Sequence, residues 1–207
     1  MGKVKLEIDG KEVVAEEGMT VLEAARLVGA EIPTLCHDER LEPYGACRVC
    51  TVEIERGGKT RMVAACGFPV ENGLKVRTRS PRLDRMRKTL IELAAVSAGE
   101  WEEGSKFWTL VREYGADPSR FASRVQIKPT KCIVCGLCVR TCSDVTGDGV
   151  IGFVGRGINR RVVIFPEKAQ NCWTCRYCQE VCPTGKISPA GPLHSFPSID
   201  DVLAGRV

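Results

Sequence analysis

Four cysteines fall at Cys132, Cys135, Cys138 and Cys142 in TKCIVCGLCVRTCSDV, and the same steps recur forty residues later at Cys172, Cys175, Cys178 and Cys182 in NCWTCRYCQEVCP. Thiols can cross-link, attack or bind soft metals, and their spacing separates these uses. A disulfide framework belongs to oxidising compartments, and the opening MGKVKLEIDG has no apolar run of the kind a secretory signal needs. Triplets three residues apart also crowd thiols on one loop, which suits cross-linking poorly. Zinc usually gathers two C-x2-C pairs around one ion, whereas the unit here is a triplet plus one. A third set, Cys36, Cys47, Cys50 and Cys66, completes the twelve; between Cys66 and Cys132 there is neither cysteine nor histidine.

The two late runs follow C-x2-C-x2-C-x3-C, the spacing of bacterial ferredoxins, and the second ends in Pro183. A cubane cluster needs four thiolates at tetrahedral corners. Three at short spacing wrap one loop around three irons, and the chain must return from elsewhere for the fourth. In two-cluster ferredoxins the fourth cysteine of each run ligates the other cluster. This predicts one [4Fe–4S] cluster on Cys132, Cys135, Cys138 and Cys182, and a second on Cys172, Cys175, Cys178 and Cys142. Ser143 stands where a proline often follows; proline there shapes the turn and is no ligand.

The first set reads C-x10-C-x2-C-x15-C. It shares the C-x2-C core and distant fourth cysteine of plant-type [2Fe–2S] ferredoxins, with a longer first gap. Gly45 and Ala46 are small enough for backbone N–H groups to approach the sulfides. A [2Fe–2S] cluster on Cys36, Cys47, Cys50 and Cys66 is predicted. His37 could replace its neighbour, as histidine does in Rieske centres, but four cysteines already complete the site. His194 reads as a surface residue.

The elements that must position these ligands are legible around them. In KVKLEIDGKEVVA, Val4, Leu6 and Ile8 alternate before the hairpin turn Asp9-Gly10. TVLEAARLVGA offers Thr20 and Glu23 as a capping box, with Gly29 closing the helix. VCTVEIE alternates again, Gly57-Gly58 turns the chain, and LKVRTR gives a last strand after Asn72-Gly73. Ser80 and Pro81 then open a helix whose apolar face is Leu83, Met86, Leu90 and Ala94. A second helix carries Phe107, Leu110, Val111 and Tyr114, and the two read as packed connector helices rather than as a Trp108-bearing docking face. VIGFVGRGINRRVVIF reads as a β-hairpin; its glycines run G-x-x-G-x-G with no helix after them, so a dinucleotide fingerprint fails. The predicted fold is α+β: a β-grasp domain over 1–79, a helical connector without cluster ligands over 80–125, a 2[4Fe–4S] ferredoxin-like domain over 126–190, and a tail over 191–207 that lies on something else.

Composition bounds the rest. Of 207 residues, 43 % are hydrophobic and 27 % charged, an ordinary globular balance. No run reaches 18 apolar residues, and position 6 is Leu rather than the Ser or Thr of a myristoylation signal, so a soluble cytoplasmic protein is expected. Residues 75 to 88 hold seven basic side chains; few aromatics interleave them, and anionic clusters nearby give another reason for the charge, so nucleic acid is not the expected partner. The formal charge of +4 counts thiols as neutral. With three oxidised clusters on thiolates it becomes about −2.

IPTLCHDERLEPYGACRVC, Cys66, KCIVCGLCVRTC and CRYCQEVCPTGKI together resemble the N-terminal iron–sulfur region of the large subunit of NADH:quinone oxidoreductase (complex I). They are equally similar to the small diaphorase subunit of soluble NAD-linked hydrogenases and to the N-terminal region of [FeFe]-hydrogenases. The resemblance implies a β-grasp module with [2Fe–2S] and a late module with two [4Fe–4S] clusters. Many members hold a further cluster on one His and three Cys between these modules. The corresponding stretch here, LIELAAVSAGEWEEGSKFWTL, has neither residue type, so that cluster should be missing.

An electron-transfer subunit is the reading that follows, with no flavin or NAD bound by this chain and no catalytic site of its own expected. By resemblance its partners would be an NAD(P)-linked flavoprotein subunit and a metalloenzyme subunit of hydrogenase, formate or aldehyde oxidoreductase type, or a ferredoxin. The alternative is a free, diffusible polyferredoxin. The iron–sulfur subunit of succinate-type dehydrogenases would need different late cysteine spacing.

Overall fold

A computed structural model describes residues 2–124 and 128–206. The expected start of the last domain at 126 and the end of the connector at 125 lie outside the described residues. Two compact units emerge. The first comprises residues 1–37, 43–92 and 110–117, the second residues 38–42, 93–109 and 118–207.

The first unit is a five-stranded mixed sheet. β1 (Lys3–Ile8) and β2 (Lys11–Glu16) form the expected hairpin, with Val4 opposite Ala15 and Leu6 opposite Val13. This register turns every second side chain inward, where Val4, Leu6, Ile8, Val13 and Ala15 are all buried. β3 (Thr51–Arg56) and β4 (Lys59–Ala64) pair around the Gly57-Gly58 turn. β5 (Lys75–Arg77) enters between β1 and β3, parallel to the first and antiparallel to the second, for a strand order β2-β1-β5-β3-β4. Helix α1 (Val21–Leu27) contributes Val21, Leu22, Ala24 and Ala25 to the same core, which is the β-grasp arrangement.

The α1 cap is the predicted one. Glu23 N–H donates to Thr20 Oγ1 at 3.3 Å, and Thr20 N–H donates to Glu23 Oε2 at 2.7 Å. The Thr20 N–H bond holds the Glu23 carboxyl below its ordinary value, so this contribution is present at neutral pH and fades as pH falls through the lowered value. Thr20→Ala is expected to lower stability by about 1 kcal/mol, read as an earlier chemical-denaturation midpoint of the α1-bearing unit. An unchanged midpoint would show the cap to be idle.

α2 (Pro81–Ala98) opens as expected, with Leu83 N–H donating to Ser80 Oγ at 3.1 Å. Its buried stripe differs from the predicted one. Leu83, Arg87, Ile91, Ala95 and Ala98 are buried, while Met86, Leu90 and Ala94 are only half-buried. A step of four keeps one ridge of the helix inward; an arginine on that ridge made it invisible to a hydrophobicity count. α3 (Lys106–Glu113) buries Phe107 and Leu110 as expected.

In the second unit, β6 (Ile151–Val154) and β7 (Arg161–Ile164) form the predicted antiparallel hairpin. The connector residues of this unit dock on the segment after the last cysteine: Glu102 N–H bonds to Thr184 O, Phe107 N–H to Pro183 O, and Trp101 packs edge-on against Phe107. The tail lies on the hairpin of its own unit. Ile164 N–H bonds to Pro197 O, Ile164 bridges to Ser198, and Phe196 and Ile187 join Val150, Ile151 and Val162 in the core. Among the described residues no helix is long and apolar enough to cross a membrane.

Candidate metal centres

In the first unit the chain brings Cys36, Cys47, Cys50 and Cys66 together from three places. Cys36 lies beyond α1, Cys47 and Cys50 in the loop that leads into β3, and Cys66 in the 3-10 turn Ala65–Gly67 that ends β4. The β3–β4 pairing sets the last two side by side, with Ala65 N–H on Cys50 O at 3.2 Å. Cys47 N–H donates to Cys36 Sγ at 3.3 Å. Arg48 takes φ of 59° so that the chain can turn between two ligands.

Mutual influence among the four thiols marks their convergence. A hydrogen bond between Cys36 and Cys47, together with burial, pushes Cys36 well up, while the same bond lowers Cys47 to about 6. Cys50 and Cys66 form a second such pair, Cys50 raised and Cys66 lowered; Cys66 also senses Cys36 and Cys47 and receives the Gly45 N–H. Four thiols so placed, three buried and Cys47 half-buried, cannot all ionise without a cation among them. Iron held by Cys36, Cys47, Cys50 and Cys66 would supply that charge, and its uptake would release the protons. Gly45 and Ala46 direct their N–H groups at the sulfurs of Cys66 and Cys36.

In the second unit the two late runs interlock. Cys138 feels, after burial itself, Cys135, Cys132 and Cys182; Cys132 is raised by burial and by Cys182. Cys172 is raised by burial, then by Cys142 and Cys175, and Cys178 is pushed up to about 12 by burial, Cys142, Cys175 and Cys172. One cavity is walled by Cys142, Cys172, Cys175 and Cys178 together, with Asp148 and Tyr177 beside them. Each triplet thus faces the fourth cysteine of the other. Cys138 also senses Cys178, so the two groups are neighbours.

Local backbone explains how short runs reach these positions. Lys131, Val134 and Gly136 take φ of 56°, 52° and 82°, folding residues 131–136 tightly around Cys132 and Cys135. A β-branched residue in the left-handed region is strained, and that conformation lets Val134 N–H donate to Cys132 Sγ at 3.3 Å. Arg176 occupies the position forty residues after Gly136, again left-handed at 52°. Cys142 sits in a π-type turn, Thr141–Val145, a widening common at functional sites. That turn lets Val150 N–H reach its Sγ at 3.2 Å. Ser143 Oγ, in the proline position, bonds to Arg140 O.

The donors therefore fit the clusters they were assigned: thiols in fours, buried or half-buried, with amide N–H groups aimed at sulfur. Among the described residues no three donors converge tightly enough for one mononuclear ion; a cluster spreads its thiolates over separate irons. His37 acts electrostatically on Glu23 of α1, and His194 is exposed. Sequence reading missed Arg87, fully buried, whose Nε and Nη2 donate to Val49 O at 3.2 Å and Thr51 O at 2.8 Å on either side of Cys50. Its spacing of four from Leu83 and Ile91 was the available signal. It also missed Lys186 and Asp148, for which no sequence signal existed.

Fold and ligand geometry define an iron–sulfur protein of two modules. Residues 2–81 match the 2Fe-2S iron-sulfur cluster binding domain family and residues 131–186 the 4Fe-4S dicluster domain family. The chain is 36 % identical over 202 residues to the NADPH-Fe(3+) oxidoreductase subunit alpha of Geobacter sulfurreducens, covering 89 % of this chain and 24 % of that protein. It is 31 % identical over 203 residues to the NADH-ubiquinone oxidoreductase 75 kDa subunit of Reclinomonas americana, covering 89 % of this chain and 29 % of that protein. A crystal structure of an NAD+-reducing [NiFe]-hydrogenase in the H2-reduced state contains a chain that superposes with a TM-score of 0.73 at 29 % identity, over 88 % of this chain and 85 % of that one. The chain thus spans between 24 % and 29 % of the length of these two curated relatives. It carries the two iron–sulfur modules in one chain and is similar in sequence to part of complex I 75 kDa subunits and of NADPH-Fe(3+) oxidoreductase alpha subunits.

Proposed function

We propose that this chain is an electron-relay subunit of a multi-subunit NAD(P)-linked oxidoreductase, carrying one [2Fe–2S] and two [4Fe–4S] clusters between a flavoprotein subunit and a metalloenzyme subunit or ferredoxin. The observation that carries the reading is the gathering of twelve cysteines into three sets of four, two of them completed by exchange. Bound clusters supply one-electron transfer with little change of geometry. The chain's own residues hold the ligands in tight loops, aim N–H groups at sulfur and surround the late sites with Val150, Ile151, Val162 and Ile187. That packing limits the access of water to the sulfurs.

The nicotinamide end is proposed because the names of the three relatives share it: NADPH, NADH and NAD+. Their other ends differ, iron(III), ubiquinone and hydrogen, so the terminal partner is assigned only by class. A cytoplasmic location goes with this reading.

Anaerobic purification from the native cells tests it. The expected result is co-purification of a flavin-containing NAD(P)-linked subunit and a metalloenzyme, with about ten irons and matching sulfide in this chain. A clean monomer with its clusters intact would instead establish the diffusible polyferredoxin. Tight zinc without acid-labile sulfide would sink both.

A further inference from the structure

The two late cysteine groups differ in the charged side chain beside each. At Cys132, Cys135, Cys138 and Cys182 it is Lys186. Its half-buried ammonium donates to the carbonyl of Thr130, two residues before Cys132, and lies 5.1 Å from the centre of the Phe196 ring. Both partners are neutral, so neither cancels the charge. The sulfurs of Cys132, Cys182 and Cys138 act on it electrostatically. Two other charges stand nearby and matter less. Lys131 is exposed and paired with Glu100 at 2.7 Å. Glu102, whose carboxylate lies over Gly185, is exposed and screened by solvent.

At the other group the side chain is Asp148. It is half-buried and forms part of the wall shared by Cys142, Cys172, Cys175 and Cys178. Asn171, which precedes Cys172, donates to its Oδ1 at 3.3 Å and fixes it there. Arg176 borders the same cavity, but its side chain is exposed, and Asp148 is the carboxylate that Cys172 feels.

We infer that Lys186 and Asp148 split the two tetranuclear sites in reduction potential, favouring the added electron at Cys132, Cys135, Cys138 and Cys182 and disfavouring it at Cys172, Cys175, Cys178 and Cys142. Reduction adds one negative charge to a site. A fixed cation nearby stabilises that form, and a fixed anion opposes it, more strongly in a partly dry environment than in water. With both clusters bound, one electron would pass from the Asp148 site to the Lys186 site, the first oxidised and the second reduced, with no proton or ligand exchanged. The chain thereby gives its relay a preferred resting place and sense of flow. This rests on the cluster content proposed above.

The test is an EPR-monitored redox titration of the anaerobically purified protein and of Lys186→Met, Lys186→Arg and Asp148→Asn, with iron and sulfide counted in each. Lys186→Met is expected to lower one tetranuclear potential so that its reduced-to-oxidised ratio at fixed poise falls on the order of tenfold, about 59 mV for one electron. Lys186→Arg should restore it, and Asp148→Asn should raise the other potential. The inference is overturned if Lys186→Met leaves both potentials unmoved at about ten irons per chain, if Lys186→Arg shifts as far as Lys186→Met, or if the lysine and aspartate changes move the same cluster. Should the unaltered protein itself hold far fewer irons, the cluster assignment fails first, and the inference with it.

Discussion

Cys142→Ala is expected to abolish the cluster of Cys172, Cys175 and Cys178, thirty residues downstream, and to leave the cluster of its own run in place. Iron should fall from about ten to about six per chain. Loss of four irons alone does not say which site emptied, so the decisive measurement uses double variants. Cys142→Ala with Cys175→Ala should hold about six irons still, because both changes strike one site. Cys142→Ala with Cys135→Ala should fall to about two. The reverse pattern would mean that each run completes its own site. The expectation rests on Cys172 and Cys178 both sensing Cys142, and on Cys132 and Cys138 both sensing Cys182.

Arg87→Met should strike the binuclear site through its scaffold. The guanidinium is wholly buried between the carbonyls of Val49 and Thr51, with Asp84 3.8 Å from Nη1. Methionine keeps much of the packing stem and removes every donor. Two carbonyls flanking Cys50 then lose their partners inside the protein, at a cost of about 3 kcal/mol. The visible and circular-dichroism bands of the [2Fe–2S] cluster should bleach at lower denaturant, while the tetranuclear signals keep their midpoint. The Arg87→Lys variant keeps the charge without the fork, and its midpoint should fall between those of the unaltered protein and Arg87→Met. An unmoved binuclear midpoint in Arg87→Met would show that the carbonyls are satisfied without it.

The strands, the α1 cap and the late hairpin were legible because each is a local matter: alternation, a Thr–Glu pair three apart, paired glycines at a turn. The gathering of the cysteines was equally legible, since a thiol array has few other uses in such spacing. The buried face of α2 was misread because hydrophobicity stood in for burial, and Arg87 is inward for its hydrogen bonds. Lys186 and Asp148 were beyond reach for another reason. Their meaning depends on which sulfurs they approach, through Thr130 and Asn171, and that is fixed only by the tertiary fold. The left-handed Val134 is similar: nothing in its type announces the conformation, which its neighbours impose.

Ligand exchange between the runs, as proposed, would also make a clasp. Between Cys142 and Cys172 the chain passes out through the β6–β7 hairpin, where Ile158 is 60 % exposed. With each run lending a ligand to the other, a cut at that tip would leave the two pieces riveted at two inorganic joints. The loaded unit would then survive a nick that the cluster-free chain, held there by the short β6–β7 ladder and side-chain packing, would be far less able to bear.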